Sequence, residues 1–407
     1  MRNIIILLFL SIFISCNQEP KNENRIQEDV SYLADDALEG RQTGTEGEKK
    51  AAEYIAKRFK EMGLSPKGTD GFYQEFSFLP KTDPHKEVEF TKNQDGTITG
   101  RNVIGYVDNK AENTVIIGAH FDHLGYGGEG SLFRDSIKAV HNGADDNASG
   151  TSVMLDLVRK LKTGNTNNNY LFMAFSGEEM GLLGSNYFVK NPTIDTKAVS
   201  YMINMDMVGR LKQDSTLAVY GTGTSPMFKQ VLNSHNDKFK LIENESGVGP
   251  SDHTSFYLAD IPVLHFFTGQ HSDYHKPGDD SEKLNYKGME KISEYIFDVI
   301  SDLNDNGKLA FRKTKNESES TPRFKVGMGV VPDYLFDGKG MRIDGISEGK
   351  PAQKAGLLKG DIVIQLGDST VTDMMSYMRA LSVFDKGDKS SVIVKRNGKN
   401  VKTTIQF

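Results

Sequence analysis

Five short motifs follow one another along the chain: His120-Phe121-Asp122, Gly143-Ala144-Asp145-Asp146, Glu178-Glu179, Asn204-Met205-Asp206 and Tyr274-His275. They supply two histidines and several carboxylates, the mixed nitrogen and oxygen donors that zinc and similar divalent ions take. Each motif ends or follows a short apolar run, so the donors would emerge together where buried strands reach the surface. The series predicts metal-assisted hydrolysis.

His120 and Asp122 stand two residues apart, which in extended chain aims both to the same side. A carboxylate so placed can orient a metal-binding imidazole. Asp145 and Asp146 lie in Gly-Ala-Asp-Asp-Asn-Ala-Ser-Gly, which also suits a turn and a helix start capped by Asn147 or Ser149. Asp145 offers two oxygens with which to bridge two ions roughly 3.5 to 4 Å apart, close enough to share one water. Glu178 and Glu179 are costly neighbours at a buried strand end unless positive charge is near. Adjacent side chains diverge, so one can bind metal while the other faces the water as general base. Asp206 is a weak signal alone and gains weight from the series. Among His235, His253, His265, His271 and His275, composition does not single out a ligand.

These groups must be positioned by an alternation of strands and helices. Residues 45–64 read as a helix: Thr45 and Glu48 are spaced as a capping box, Ala52, Ile55, Ala56, Phe59 and Met62 form one stripe, and Gly63 stops it. Apolar runs of strand length follow at 115–119, 170–175, 201–204, 217–220 and 262–267, several separated by helical stretches such as 149–161. The fold expected is α/β, a mainly parallel mixed sheet with helices on both faces. Functional groups of such sheets gather at the carboxyl ends of the strands. His120, Glu178 and Asp206 would all sit there.

A chain of 407 residues favours two domains. Its net charge of -6, with no basic block interleaved with aromatics, argues against a nucleic-acid partner. Residues 1–15 read as a signal segment: Arg2 precedes an apolar stretch from Ile4 to Ile14 that is too short to span a bilayer comfortably. Cys16 is the only cysteine, so no intramolecular disulfide can form. Ser15-Cys16 resembles the lipobox of bacterial lipoproteins, with Phe13 departing from the aliphatic residue usual three places earlier. Cleavage before Cys16 would leave a lipidated cysteine on a polar tether over 16–24. The protein is then expected in the bacterial cell envelope, anchored at a membrane on the periplasmic or outer-membrane side.

With these motifs in place, residues 25–306 resemble the co-catalytic dizinc aminopeptidase family, whose relatives include bacterial leucyl aminopeptidases, glutamate carboxypeptidase II and the glutaminyl cyclases. The resemblance implies a zinc-peptidase fold of the phosphorylase/hydrolase-like kind and two zinc ions as cofactors. It places His120 and Asp206 on one ion, Glu179 and His275 on the other, and Asp145 between them, with Asp122 bracing His120 and Glu178 as general base. His275 is the last ligand because Tyr274-His275-Lys276-Pro277-Gly278-Asp279 is similar to the family's final motif; His265 is then a strand residue inside the fold. Tyr274 would donate its hydroxyl to the developing oxyanion, by analogy with relatives that carry a tyrosine there. The resemblance also implies a cis peptide between Asp145 and Asp146, and Ser251-Asp252-His253 matches a family segment near the substrate without a defined role. The favoured substrate is the free amino end of a peptide. The family's carboxypeptidases, dipeptidases and cyclases keep those alternatives open, and a non-catalytic peptide-binding lipoprotein is disfavoured because all five ligands and the base are present.

Residues 307–322 are polar and read as a linker. In the remaining 323–407, Gly327-Met328-Gly329-Val330, Pro351-Ala352-Gln353-Lys354-Ala355-Gly356-Leu357 and Gly360-Asp361 resemble a PDZ domain of the bacterial protease type, a small β-rich unit. The resemblance implies that the backbone near Met328 to Val330 cradles a peptide or protein C-terminus while a sheet edge accepts it as an added strand. The glycine-rich stretch from Gly125 to Gly130 is expected as a mobile rim over the site. It lacks the lysine and hydroxyl residue of a phosphate loop.

Overall fold

The structure is a computed structural model that describes residues 25–407 except 81–87, 92–94, 129, 134, 136, 315–324, 334–335, 337 and 348. The signal segment, Cys16, the 16–24 tether and the linker from 315 onward lie outside the described residues. No helix among those described is long and apolar enough to cross a membrane.

The first domain is built on one sheet of strands β1 (Ser65–Pro66), β2 (Tyr73–Phe78), β3 (Ile98–Val107), β4 (Asn113–His120), β5 (Asn168–Phe175), β6 (Val199–Met205), β7 (Thr216–Tyr220), β8 (Lys240–Asn244) and β9 (Val263–Phe267). Their order is β1-β3-β5-β4-β6-β9-β7-β8, with β2 also paired to β3. Strands β5, β4, β6 and β9 run parallel, and β3 and β7 join them antiparallel on either side. This is the mixed sheet the apolar runs predict, with its parallel part at the centre.

The central strands are apolar at almost every position because helices cover both faces. Those helices are α1 (Arg25–Leu33), α2 (Glu46–Glu61), α3 (Gly150–Leu161), α4 (Leu183–Lys190), α5 (Phe228–Ser234), α6 (His253–Tyr257) and α7 (Tyr286–Asp302). Val115, Ile117, Tyr170, Phe172, Tyr201 and Ile203 pack into a core with α1, α2, α3, α5 and α7. Ile116, Leu171, Met173 and Met202 pack into a second core with α4 and α6.

Helix α2 starts at Thr45, whose hydroxyl accepts the Glu48 N–H at 3.4 Å. Glu48 does not complete the capping box that its spacing suggests. Its carboxylate turns into the core, where Oε1 accepts from the Arg101 N–H and from Ser176 Oγ, each at 3.0 Å. Gly63, at φ +76°, ends the helix, and the Leu64 N–H reaches back to Phe59 O at 3.0 Å.

Strand β4 lies between β5 and β6 in parallel register. Neighbouring strands stand about 4.8 Å apart, so His120 at the end of β4, Glu178 just beyond β5 and Asp206 just beyond β6 converge on one edge of the sheet. Residues 307–314, expected as linker, instead lie along this domain: Arg312 N–H donates to Thr224 O at 2.7 Å and Thr314 N–H to Tyr257 Oη at 3.0 Å.

The second unit is an antiparallel sheet of β10 (Val330–Pro332), β11 (Met341–Ile346), β12 (Ile362–Leu366), β13 (Ser369–Thr370), β14 (Lys389–Arg396) and β15 (Lys399–Gln406), with helices α8 (Pro351–Lys354) and α9 (Met374–Leu381). It has its own core, centred on Met341, Ile343, Leu357, Val363, Val392 and Val394. Asp361 of the Gly-Asp motif is buried and accepts from Arg396 Nε at 2.7 Å, which ties β14 to the start of β12.

Candidate active site

His120 Nε2 lies 3.3 Å from Asp146 Oδ1, 3.3 Å from Asp206 Oδ1 and 3.9 Å from Glu178 Oε2. His275 Nε2 lies 3.1 Å from Asp146 Oδ2 and 3.3 Å from Glu179 Oε2. Asp146 therefore presents one oxygen to each histidine. A tetrahedral zinc ion with bonds of about 2.0 to 2.1 Å holds its ligand atoms about 3.3 Å apart. The two donor sets have that spacing, and His120 Nε2 is buried with no hydrogen-bond partner. The residues present thus fit a pair of ions that share one carboxylate. Donor atoms of His120, Glu178 and Asp206, and of His123, Asp146 and Glu179, each cluster within 4.8 Å.

The expected bridging residue, Asp145, is not part of this cluster. Its Oδ1 accepts the Gly209 N–H at 2.6 Å and Ser149 Oγ at 3.1 Å, and its Oδ2 lies 3.2 Å from His271 Nε2. Asp146 takes the position instead. Gly143 at φ +55° leads into an irregular turn over Ala144–Ser149, in which Asp146 and Asn147 leave helical geometry, and this sends the two adjacent carboxylates to different sides. Sequence spacing held nothing to choose between them. The cis peptide is likewise at Asp146–Asn147 rather than Asp145–Asp146. At the start of α3, Asn147 Oδ1 accepts the Gly150 N–H at 2.9 Å.

Asp122 sits behind His120 as expected, but the nearest partner of His120 Nδ1 is the Asp122 main-chain oxygen at 3.3 Å, with Oδ1 at 3.7 Å. The Asp122 carboxylate accepts from Thr43 Oγ1 at 2.9 Å and from the Glu178 N–H at 3.1 Å. One aspartate thereby steadies both the first histidine and the expected base. His275 Nδ1 donates to Gly130 O at 2.8 Å, and the Gly125 N–H donates to Gly40 O at 3.0 Å. Gly130 thus contacts a site residue and Gly125 is tied to Gly40.

Buried Arg41 donates to the main-chain oxygens of Phe121, Asn142 and Gly143 at 2.7, 2.6 and 3.0 Å, and also to Leu33 O. It fixes the two loops that carry Asp122 and Asp146. Sequence reading missed Arg41 and Thr43, which lie far upstream with no local signal. It also missed His123, although that residue directly follows Asp122, and gave no role to Asp279, which it read only as the end of the His-Lys-Pro-Gly-Asp motif.

Burial opposes charge on both histidines, yet the carboxylates outweigh it. Asp206 and Glu178 hold His120 well above its ordinary range, and Glu179 and Asp146 push His275 up to about 11. Burial would raise Glu179, but His275 brings it down to about 2. Glu178 goes the other way: burial, then the negative charges of Asp206, Glu179 and Asp252, push it well above the usual carboxylate range against the pull of His120. Two neighbouring glutamates are thus driven apart, one into a charged ligand and the other into a group that holds a proton readily.

A cavity of about 100 Å³ opens beside these groups, with Met207, Tyr220, Phe267 and Tyr274 on its apolar wall. The Tyr274 ring stacks on His275 at 3.8 Å. Ser251-Asp252-His253 lies beneath: Asn204 Nδ2 donates to Ser251 Oγ at 2.8 Å, and His253 stacks at 4.4 Å on His265, which is the interior strand residue expected. Burial pushes Asp252 up to about 7.

An α/β sheet that gathers histidines and carboxylates around a shared aspartate at its parallel carboxyl edge has the architecture of zinc-peptidase domains. Residues 102–300 match Peptidase family M28 and residues 310–407 match a PDZ domain. The chain accordingly carries a Peptidase family M28 domain followed by a PDZ domain. Among curated proteins it is 31% identical over 172 residues to a probable leucine aminopeptidase of Trichophyton verrucosum, covering 40% of this chain and 44% of that protein. It is 28% identical over 212 residues to aminopeptidase YwaD of Bacillus subtilis, covering 49% and 43%. The chain thus spans about half the length of the curated relatives it matches. In fold it resembles a zinc aminopeptidase from Bacillus subtilis, with a TM-score of 0.54 at 19% identity over 70% of this chain and 97% of that one. A zinc-dependent exopeptidase from Parabacteroides distasonis superposes with a TM-score of 0.56 at 19% identity, covering 69% and 97%.

Proposed function

We propose that the protein is a zinc-dependent exopeptidase, an aminopeptidase that releases residues from the free amino ends of peptides. The observation that carries this reading is Asp146 set between His120 and His275 at 3.3 and 3.1 Å, with Glu178 beside it. His120 and Asp206 would hold one zinc ion, Glu179 and His275 the other, and Asp146 both. Zinc in such a site supplies an activated water and polarises the scissile carbonyl. Glu178 takes the proton of the attacking water and returns it to the leaving amine, a double duty that suits a carboxyl group pushed upward by burial. Asp122 keeps Glu178 and His120 in place. Tyr274 donates its hydroxyl to the oxygen that gains charge; replacing it by phenylalanine should lower turnover at least about tenfold, and unchanged turnover removes that role.

The aminopeptidase reading draws on the cavity and on the names of the curated relatives. A cavity of about 100 Å³ with an apolar wall suits one substrate side chain, and Glu178, Glu179 and Asp206 in its lining attract a free amine. The test is hydrolysis of amino-acyl anilides beside amino-terminally blocked peptides, with metal removed and zinc restored. Zinc-dependent release from free amino ends only establishes the reading. Cleavage of blocked peptides moves the protein to a carboxypeptidase or endopeptidase, and silence in both sets favours cyclase or scaffold.

Outside the peptidase domain, the backbone at Met328 to Val330 would hold a peptide or protein C-terminus, and β10, at the end of its sheet among the described residues, would take the peptide as an added strand. Binding of a free-acid peptide but not its amide, by fluorescence anisotropy, tests this. Cys16 would carry the lipid that holds the protein in the bacterial envelope. Incorporation of labelled palmitate that disappears in Cys16→Ala tests that reading.

A further inference from the structure

Oε1 and Oε2 of Glu179 face different partners. Oε2 lies 3.3 Å from His275 Nε2, the separation of two ligands on one ion, whereas Oε1 lies 2.8 Å from Nδ1 of His123. A gap of 2.8 Å is a direct hydrogen bond and is shorter than the roughly 3.3 Å between donors on a tetrahedral zinc. Because a carboxylate only accepts, His123 Nδ1 must carry the proton.

His123 is buried, its Nε2 has no hydrogen-bond partner, and its backbone N–H donates to Arg41 O at 3.3 Å. Its ring stands beside Gly143. A Cβ on Gly143 would stand 2.5 Å from His123 Cγ and Cδ2, so the turn that presents Asp146 must leave this space to the imidazole. Glu179 itself sits on the turn after β5 with a side chain of three rotatable bonds. It needs an outside contact to keep Oε2 aimed at the site.

We infer that His123 is a positioning residue for the second metal: its Nδ1–H holds Oε1 of Glu179 and so presents Oε2, together with Asp146 and His275, to the ion. This rests on the dizinc reading above. Hydrogen bonds of this kind to a ligating carboxylate typically carry 10- to 100-fold in metal affinity.

The test uses the full chain and three substitutions at one position. In His123→Asn the amide nitrogen falls near the place of Nδ1; in His123→Gln it falls near that of Nε2; His123→Ala has no donor. Zinc affinity at both sites is measured by competition with a chromophoric chelator, and the urea midpoint of each metal-free protein serves as the control for folding. The expected result is that the alanine and glutamine variants lose 10- to 100-fold in affinity for one of two ions, while the asparagine variant stays within about threefold of wild type. Equal losses in all three, as direct ligation or mere packing would give, overturn the inference, as do unchanged affinities throughout. A wild-type chain that binds fewer than two zinc ions overturns the dizinc reading and this inference with it. If the alanine variant does not fold, asparagine against glutamine still decides.

Discussion

The Asp279 carboxylate accepts the backbone N–H of Asp146 at 3.0 Å and that of Asp145 at 2.9 Å, both through Oδ2. Asp279 lies four residues beyond His275, so one loop supplies a ligand and also clamps the turn that presents the shared carboxylate. Burial pushes Asp279 up to about 6, with Asp145 adding to the rise and His271 opposing it. Arg210 Nη2 stands 3.5 Å from its other oxygen.

Removing this clamp should damage both fold and site. Asp279→Ala leaves two buried N–H groups without an acceptor, a loss of about 2 to 4 kcal/mol in urea unfolding of the metal-free chain. Because Asp146 is then loosely held, zinc affinity should fall at least about tenfold. Affinity that stays at the wild-type level would show that Asp146 is positioned by other means.

Adjacent aspartates give an internal control. Asp146→Asn should abolish retention of the zinc pair and reduce turnover by a factor on the order of a thousand or more. Asp145→Asn should keep two ions per chain by elemental analysis and lose on the order of 1 to 3 kcal/mol in stability, because its bonds to Gly209, Ser149 and His271 are structural. The opposite outcome would return the bridging role to Asp145.

Glu178→Gln keeps the shape of the base but not its proton transfer. Turnover should drop by roughly 10² to 10⁴ while zinc content stays at the wild-type value. In the wild type the base must be deprotonated to act. In the metal-free chain burial, then the charges of Asp206, Glu179 and Asp252, hold Glu178 above an ordinary glutamate against the pull of His120.

Met207, Tyr220 and Phe267 make an apolar wall in a cavity of about 100 Å³. Leucyl and methionyl anilides should be cleaved better than alanyl by about tenfold or more in kcat/KM, at about 0.8 kcal/mol per buried methylene. Aspartyl and glutamyl anilides should be rejected by Glu178 and Asp206. Equal rates for leucyl and aspartyl substrates would place the substrate side chain elsewhere.

Glu48 makes stability depend on pH. Burial pushes it to about 7, despite Arg101 and Ser176, so the native state binds its proton more tightly than the unfolded chain does. Its contribution is greatest below the ordinary value of 4.5 and is lost as pH rises through about 7. Between pH 5 and 8 the metal-free Glu48→Gln variant should gain on the order of 1 to 3 kcal/mol relative to wild type, read from urea midpoints. A constant difference across that range would mean that Glu48 stays charged throughout.

Much of this protein is legible in the chain. The apolar runs ending at His120, Phe175 and Met205 determine buried parallel strands, because only a sheet covered on both faces needs apolar side chains at successive positions. Their ends locate His120, Glu178 and Asp206, and the divergence of Glu178 from Glu179 follows from the alternation of neighbouring side chains. The PDZ-like glycine and alanine spacing marks the second unit in the same local way. Tertiary structure alone decided between Asp145 and Asp146, since the turn after Gly143 aims each residue by its backbone angles and not by its type. It also revealed Arg41, Thr43, His123 and Asp279, whose contacts to the site span up to 134 residues of sequence. Such groups leave no periodic trace, because hydrogen bonds between distant loops exist only once the sheet has brought those loops to one edge. The capping box at Thr45 shows the same limit from the other side: local spacing offered Glu48 to the helix end, and the buried Arg101 and Ser176 claimed it.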